Sequence, residues 1–430
     1  MNPLDDPRSN PPCTREDALA VLKRLREAGH TAYFAGGCVR DVLLGLEAKD
    51  WDVATDAPPT RVRELFPSTQ AVGAAFGVIL VRSSRSQVEV ATFRADGTYE
   101  DGRRPSSVRF TSAEEDARRR DFTINGLFQD PIEDRIIDFV GGRDDLAARR
   151  IRAIGSPAER FGEDHLRMLR AVRFAARFGF EIEPATAAAI QSHASRIKGI
   201  SPERVGDELR FMLTPPTRDV AWVLLWDLNL AHEVFRFLPA IPQILDQTRS
   251  VFLKLEKGRP ISLGLSLAAA CLCARLQGES LEDPLPLLAK NEISRSVRAM
   301  RQALRISNDE SDELSQTLAN LEPLLQPNPP TLAQKKRFLA HPQSAQSRQL
   351  MDSMAALGLH QKRIASLREE WPDLSLQEVA PIPLLDGDEL IAAGFSPGPA
   401  FRRILDAVYD AQLEGRISTK EQAMEMVRRL

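Results

Sequence analysis

The apolar positions in the first third of the chain follow two periods in turn. From residue 18 to residue 25 they recur at helical spacing behind Thr14, which predicts an amphipathic helix that begins just after this threonine. Between residues 31 and 138 the apolar runs become short and β-branched, as at 78–81 and 88–93, and helical stretches alternate with them. This alternation predicts a compact α/β head with a mixed sheet.

From about residue 146 onward the apolar period is almost entirely helical, with proline and glycine at the breaks. The fold class predicted from the pattern is therefore α+β, with a small head followed by an elongated all-helical part. Breaks at 326–330 and 373–383 divide the helical part further. We predict a disordered N-terminus over 1–14, a head over 15–145, a neck over 146–215, a body over 216–375 and a tail over 376–430.

Composition narrows the class of protein. The chain has 430 residues, of which 43% are hydrophobic and 27% charged, as in soluble globular proteins. Its net charge of −3 means that any contact with nucleic acid must come from local basic patches. The start lacks the basic and apolar regions of a signal peptide, and the most apolar stretch, 261–276, is too short and interrupted to span a bilayer, so we expect a buried core helix there and no contact with a membrane.

The four cysteines lack a zinc-binding spacing and are expected to be buried thiols. Buried thiols suit a reducing compartment, so the expected location is the cytoplasm. The sequence does not indicate an oligomeric state.

Two aspartates are the first candidate for chemistry. Asp50 and Asp52 adjoin a strand-like run, and in an extended strand both side chains project from one face. Such a pair is a hard-oxygen site of the kind that Mg²⁺ prefers when it also binds phosphates. Upstream, Gly36 and Gly37 let the backbone approach a phosphate closely, and Arg40 adds positive charge. The combination predicts metal-assisted attack on a nucleoside triphosphate, whereas each motif alone is more often a turn or a solvated loop.

A second cluster is the stretch RRRDFTING at 118–126. Guanidinium groups bind phosphate oxygens, and a carboxylate or amide binds sugar hydroxyls, so the cluster suits a triphosphate and its ribose. An arginine run taken alone is more often a solvated face. Here it leads directly into an apolar segment, which favours a fixed position.

A third cluster is the stretch GEDHLRMLRAVRFAAR at 162–177. On one helix its apolar residues would share a face opposite the arginines, and Asp164 would lie one turn before Arg167. A carboxylate accepts from an exocyclic amine and a guanidinium donates to a ring nitrogen or carbonyl. Cytosine and adenine present that pattern and guanine and uracil present the reverse, so the pair could select C and A without a template. An ion pair within one helix is the alternative interpretation.

Together these motifs resemble the class II tRNA nucleotidyltransferases, the family of CCA-adding enzymes and bacterial poly(A) polymerases within the polymerase-β superfamily. The resemblance rests on the three clusters and on DFVGGRDDL at 138–146, and it covers about 31–213. It returns between 385 and 417, in a segment typical of the C-terminal arm of the family. The region from 215 to 375 matches only as generic helix.

The resemblance implies a role for each matched position. Metal ions, Mg²⁺ in this family, would be held by Asp50 and Asp52, with Glu89 as a candidate third carboxylate. The other implied roles are triphosphate binding by Gly37, Arg40 and Arg120, ribose binding by Asp121, base reading by Asp164 and Arg167, and lining of the same site by Arg170 and Arg173.

The implied activity is addition of C and A to the 3′ end of tRNA from CTP and ATP, with release of pyrophosphate. The tRNA would be bound at its 3′ end and acceptor region. Poly(A) synthesis and addition of A alone share these motifs and remain alternatives, although the chain lacks the arginine-rich segment and basic extension usual in the poly(A) polymerases. An intact loop at 93–105 argues against addition of CC alone. An RNA-binding module with a degenerate head is the non-enzymatic alternative.

Overall fold

The structure is a computed structural model that describes residues 13–71, 76–82, 86–97, 107–236, 245–256, 258–274, 288–371, 379–396 and 398–429. The chain divides into two compact units, one formed by 1–208 with 224–234 and the other by 209–223 with 235–430. Three predicted features lie partly or wholly outside the described residues: the N-terminus over 1–12, most of the loop at 93–105, and the break after 372. The division into head, neck, body and tail stays a prediction.

A seven-stranded mixed sheet forms the centre of the first unit. Its strand order is β3-β4-β5-β2-β1-β8-β9, and β2 with β5 is the parallel pair among antiparallel neighbours. The strands are β1 (Ala32–Ala35), β2 (Val53–Thr55), β3 (Thr69–Ala71), β4 (Val78–Arg82), β5 (Gln87–Thr92), β8 (Leu127–Asp130) and β9 (Arg135–Asp138). The strands β6 (Arg94–Asp96) and β7 (Val108–Phe110) form a separate antiparallel pair. The predicted α+β class with a mixed N-terminal sheet is confirmed.

Helices connect these strands and cover the sheet. They are α1 (Arg15–Glu27), α2 (Gly37–Leu43), α3 (Pro59–Leu65), α4 (Ala113–Arg118) and α5 (Gly142–Ala147). The predicted start of α1 is confirmed, because the Thr14 hydroxyl accepts from the backbone N–H of Asp17 at 3.2 Å. The apolar face of α1 is buried as its spacing predicts.

The rest of the first unit is helical apart from a two-residue parallel ladder between β10 (Arg150–Ile151) and β11 (Glu181–Ile182). Its helices are α6 (Pro157–Glu163), α7 (Arg167–Phe178), α8 (Pro184–His193), α9 (Pro202–Leu213), α10 (Arg218–Asp227) and α11 (Leu230–Val234). The last residues of α9 and the first of α10 belong to the second unit.

The prediction of one continuous helix over 162–177 is wrong in one respect. α6 ends at Glu163, and Asp164 has an extended backbone with φ −140° and ψ 105°. The Asp164 carboxylate accepts from the backbone N–H of Leu166 at 3.1 Å, and this local bond competes with continuation of the helix. From Arg167 onward the predicted apolar face is confirmed as buried.

The second unit is helical throughout its described residues. Beyond α10 its helices are α12 (Leu245–Lys254), α13 (Leu263–Cys273), α14 (Lys290–Leu304), α15 (Asn308–Ala319), α16 (Glu322–Leu325), α17 (Leu332–Ala340), α18 (Ser344–Ala356), α19 (Gln361–Glu370), α20 (Gly387–Ala392), α21 (Pro399–Leu413) and α22 (Lys420–Arg429). Every residue of α13 is buried, which confirms the predicted core helix. The four cysteines are buried free thiols, as expected. No helix among the described residues is long and apolar enough to cross a membrane.

Candidate active site

Three carboxylates lie near one end of the parallel pair of strands. β2 begins at Val53, and its pairing with β1 extends back through Asp52, whose carbonyl accepts from Ala35 N–H at 3.1 Å. Val53 lies opposite Val90 of β5, so the same register brings Glu89 opposite Asp52. Asp50 is exposed two residues before Asp52. The predicted acid pair therefore lies at a strand end, with Glu89 beside it.

The electrostatics of this end show that the carboxylates act on one another. Burial, and after it the charges of Glu89 and Asp50, raise the pKa of Asp52 to about 7 against the opposing effect of Arg120. Desolvation and then Asp50 also raise the pKa of Glu89, although part of its side chain remains exposed. Crowded hard-oxygen donors of this kind fit a divalent cation, which would relieve their repulsion.

The described residues contain no preformed cluster of three or more metal-binding side chains. This finding is compatible with Mg²⁺, because that ion is commonly bound by one or two carboxylates together with substrate phosphates and water. The acid pair and the phosphates would complete the site together.

The glycine turn and Arg120 form the next part of the site. Gly36 has φ 72° and ψ −119° and immediately precedes α2, and a Cβ at this position would lie 2.7 Å from Nη1 of Arg120. The guanidinium of Arg120 is fixed there by Asp116, at 3.0 Å, and by donation to the carbonyl of Asn125 at 3.1 Å. Because Arg120 also acts to lower the pKa of Asp52, its guanidinium, the turn at Gly36 and the carboxylates lie close together.

Gly37 begins α2, and Arg40 lies one turn further along it. Arg40 is only 4% exposed. Its guanidinium donates to Asp41 at 2.7 Å and to Asn125, and lies over the ring of Phe174. In this arrangement Arg40 supports the site from the interior, and it can reach a phosphate only by leaving these partners.

Asp121 is buried, and both of its oxygens already accept hydrogen bonds. One oxygen accepts from Phe122 N–H at 2.8 Å and from Asn125 at 2.9 Å, and the other accepts from Arg170 at 2.7 and 2.8 Å. Burial alone would raise the pKa of Asp121, but Arg170 and the hydrogen bonds hold it at about 2. A ribose hydroxyl would have to share this carboxylate with Arg170.

The two base-reading candidates lie on either side of the break before α7, and each has its own partner. Asp164 pairs with Arg204 through one nitrogen, at 3.1 and 2.9 Å from the two carboxylate oxygens. Arg167 pairs with Glu163 at 2.6 Å and donates to the carbonyl of Arg119 at 3.2 Å. Arg167 and Asp164 therefore lie close in the sequence, but each forms its ion pair with another residue.

Arg173 completes the set of predicted residues, and it pairs with Glu208 at 3.2 Å. Asp116, Arg204 and Glu208 are functional candidates that the sequence analysis missed. Asp116 precedes Arg120 by four residues, a spacing that indicates a helical ion pair. Arg204 and Glu208 carry no such local signal, because their partners lie on a distant segment of the chain.

Two parts of the chain match described families. Residues 32–152 match the poly A polymerase head domain, and residues 179–241 match the family described as a probable RNA and SrmB-binding site of polymerase A. The first match contains the sheet, the acid pair and Arg120, and the second contains Arg204 and Glu208.

Curated relatives cover nearly the whole chain. A CCA-adding enzyme of Geobacillus kaustophilus is 33% identical over 408 residues, which are 95% of this chain and 95% of the relative. Another, of Lacticaseibacillus paracasei, is 34% identical over 413 residues, covering 93% of this chain and 92% of the relative. The crystal structure of the Bacillus stearothermophilus CCA-adding enzyme in complex with CTP has 28% identity and a TM-score of 0.70, with 96% of this chain and 97% of that chain covered. Identity of this extent over almost the full length of the relatives shows that the chain belongs to the CCA-adding enzyme family of nucleotidyltransferases.

Proposed function

We infer that the protein adds C and A nucleotides to the 3′ end of tRNA, using CTP and ATP and releasing pyrophosphate. The observation that supports this inference is the proximity of Asp50, Asp52 and Glu89 near the start of β2, with Arg120 near Asp52, in a chain that aligns with CCA-adding enzymes over nearly its whole length. The same alignment makes poly(A) synthesis and addition of A alone the weaker alternatives. An RNA-binding module with a degenerate head is disfavoured, because the acid pair is intact.

The reaction is proposed to depend on Mg²⁺ held by Asp50 and Asp52, with Glu89 as a third acid. The ion, when bound, supplies Lewis-acid stabilisation of the reacting phosphate and lowers the pKa of the attacking 3′-hydroxyl. Arg120 and the Gly36-Gly37 turn are placed to receive the triphosphate. No side-chain nucleophile is needed for this attack.

The ribose is assigned to Asp121, and the base is assigned to the residues on either side of the break before α7. Asp121 would accept from a ribose hydroxyl while Arg170 keeps its carboxylate in position. Asp164 would accept from the exocyclic amine of cytosine or adenine, and Arg167 would donate to the neighbouring acceptor. Uracil and guanine would place like groups together and leave these charges unpaired.

Contact with tRNA is proposed to fall on the helical part of the chain. The match of residues 179–241 to a probable RNA-binding family supports this assignment. Since the net charge is −3, the RNA must be bound by local clusters of cations. Because tRNA ends are completed in the cytoplasm of bacteria, the cytoplasmic location is part of this proposal.

The proposal is tested with tRNA that lacks its 3′ CCA, offered each nucleoside triphosphate alone and then all four together, followed by sequencing of the extended product. We expect addition of C, C and A in order, with little addition of U or G. Asp52→Asn should reduce incorporation by more than about 100-fold, as loss of a metal ligand, while tRNA binding is retained.

Asp56→Asn is a matched control. Asp56 adjoins the opposite end of β2 and is exposed, pairing with His30 at 3.2 Å, so its loss should leave incorporation near the normal level. Full incorporation by Asp52→Asn, or a product with a long A-tract, would contradict the proposed function.

A further inference from the structure

The first turns of α9 face the base-reading segment with complementary charges. Arg204 contacts the carboxylate of Asp164, and Glu208 lies 3.2 Å from the guanidinium of Arg173. Residues four apart share one face of a helix, so a single face of α9 presents a cation to the acid and an acid to the cation. Arg204 and Glu208 therefore support, from α9, residues that are assigned to the base-binding site.

Asp164 has an extended backbone after the end of α6, so contacts from other residues must hold its carboxylate in place. Its carboxylate is held by Leu166 N–H, at 3.1 Å on one oxygen, and by Arg204. An ionised carboxylate offers about four acceptor positions on its two oxygens. These two partners therefore fix its orientation and leave acceptor capacity for a ligand.

Asp164 and Arg167 are held by different partners. The two residues are three positions apart, and the guanidinium of Arg167 is held instead by Glu163 and two backbone carbonyls. If Arg204 were removed, the half-buried carboxylate of Asp164, 18% exposed, would lose its cation, and Arg167 would be the nearest replacement along the chain. An Asp164–Arg167 pair would cancel the donor and the acceptor that a base must meet.

We propose that Arg204 is a positioning residue that determines base selection, because it orients Asp164 as an acceptor and prevents its pairing with Arg167. The ligand concerned is a nucleobase with an exocyclic amine beside an acceptor nitrogen. This inference rests on the proposed function, in which Asp164 and Arg167 read the base.

The test compares Arg204→Met with Arg204→Lys in single-nucleotide addition, with kcat and KM measured for each nucleoside triphosphate. The preference for CTP is measured on tRNA lacking its 3′ CCA, and the preference for ATP on tRNA that ends in CC. Loss of a charge-assisted hydrogen bond should reduce the preference for CTP and ATP over UTP and GTP by about tenfold or more in kcat/KM. A single nitrogen makes both contacts with Asp164, so lysine can supply the same charge, and Arg204→Lys should stay within about threefold of the native preference.

The preference is a ratio measured on one preparation, so it does not depend on the fraction of molecules that are folded. A variant that folds poorly therefore remains informative. Arg61→Met is the control, since it breaks an exposed ion pair with Glu64 in the same unit, and its preference should be unchanged. In an Asp164→Asn background, Arg204→Met should produce no further change.

An unchanged preference in Arg204→Met, alongside a lost preference in Asp164→Asn, would overturn the role of Arg204 while leaving the base-reading assignment intact. An unchanged preference in Asp164→Asn would overturn both. Failure of the native protein to extend tRNA at all would instead refute the proposed function.

Discussion

Replacing Asp121 with asparagine tests the pair that joins the RRRDFTING segment to α7. The side chain of Asp121 is 9% exposed, and its pKa is held at about 2 instead of the ordinary 3.8. The difference of nearly two pH units corresponds to about 2 kcal/mol of stability at neutral pH. We therefore expect Asp121→Asn to lower the melting temperature of the first unit by about 4–8 °C at pH 7, measured by scanning calorimetry.

The pH dependence of this effect has a definite sign. A carboxyl whose folded-state pKa is lowered stabilises the protein above its unfolded-state pKa and loses that contribution as the pH falls toward the folded-state value. The difference between native protein and Asp121→Asn should therefore be full above about pH 5 and should shrink as the pH falls below 4. Combining Asp121→Asn with Arg170→Met should cost less than the sum of the single changes, because the two residues contact each other.

Glu64→Gln is the control for this experiment, because it removes an exposed ion pair with Arg61 whose loss should cost less than about 0.5 kcal/mol. Equal melting temperatures for native protein and Asp121→Asn at pH 7, or strict additivity with Arg170→Met, would refute the reasoning.

Three further predictions concern the phosphate end of the site and RNA binding. Gly36→Ala should raise the KM for CTP, because its Cβ would displace Arg120. Gly45→Ala is the control: Gly45 has a similar positive φ with no atom near its Cβ, so the change should cost only about 1–2 kcal/mol of stability. Equal KM values for the two variants would contradict this prediction. Because the pKa of Asp52 is about 7, protons compete with the cation, and the affinity for Mn²⁺ measured by titration should rise about tenfold from pH 6 to pH 8. An affinity for Mn²⁺ that does not change with pH would refute the assignment. The same raised pKa should make the cation-free protein less stable as the pH rises from about 4 to about 7, because the folded state still holds a proton that the unfolded chain has released. Affinity for tRNA should fall steeply with salt, and a flat dependence would argue against phosphate contacts.

The head was largely predictable from the sequence because its signals are local. Short β-branched runs at 78–81 and 88–93 became strands of the sheet, and the hydroxyl of Thr14 caps α1. The proximity of Asp50 and Asp52 was also predictable, since alternation along an extended segment places both on one side, whereas their role as metal ligands stays a prediction. The sequence could name Glu89 only as a candidate third carboxylate, because its position opposite Asp52 depends on the parallel pairing of β2 with β5.

The break at Asp164 was not predictable from the period of apolar residues. Those residues keep helical spacing across 162–177, and the period carries no information on whether an aspartate side chain takes a backbone N–H from its neighbour. Arg40 illustrates a second limit. Its charge suggests a phosphate ligand, but its burial against Phe174 depends on the packing of α7 onto α2, which no local pattern records.

The arginines assigned to the nucleotide share one property that bears on how the site works: each has a carboxylate partner. The pairs are Arg40 with Asp41, Arg120 with Asp116, Arg170 with Asp121, Arg167 with Glu163, and Arg173 with Glu208. A free arginine side chain loses about 2 kcal/mol of rotamer freedom when a ligand orders it, and these pairs impose that order before a nucleotide arrives. They also neutralise much of the local positive charge that would otherwise attract the triphosphate. In the proposed function, the cation held by the acid pair would therefore carry much of the phosphate binding, and the arginines would fix position and base choice.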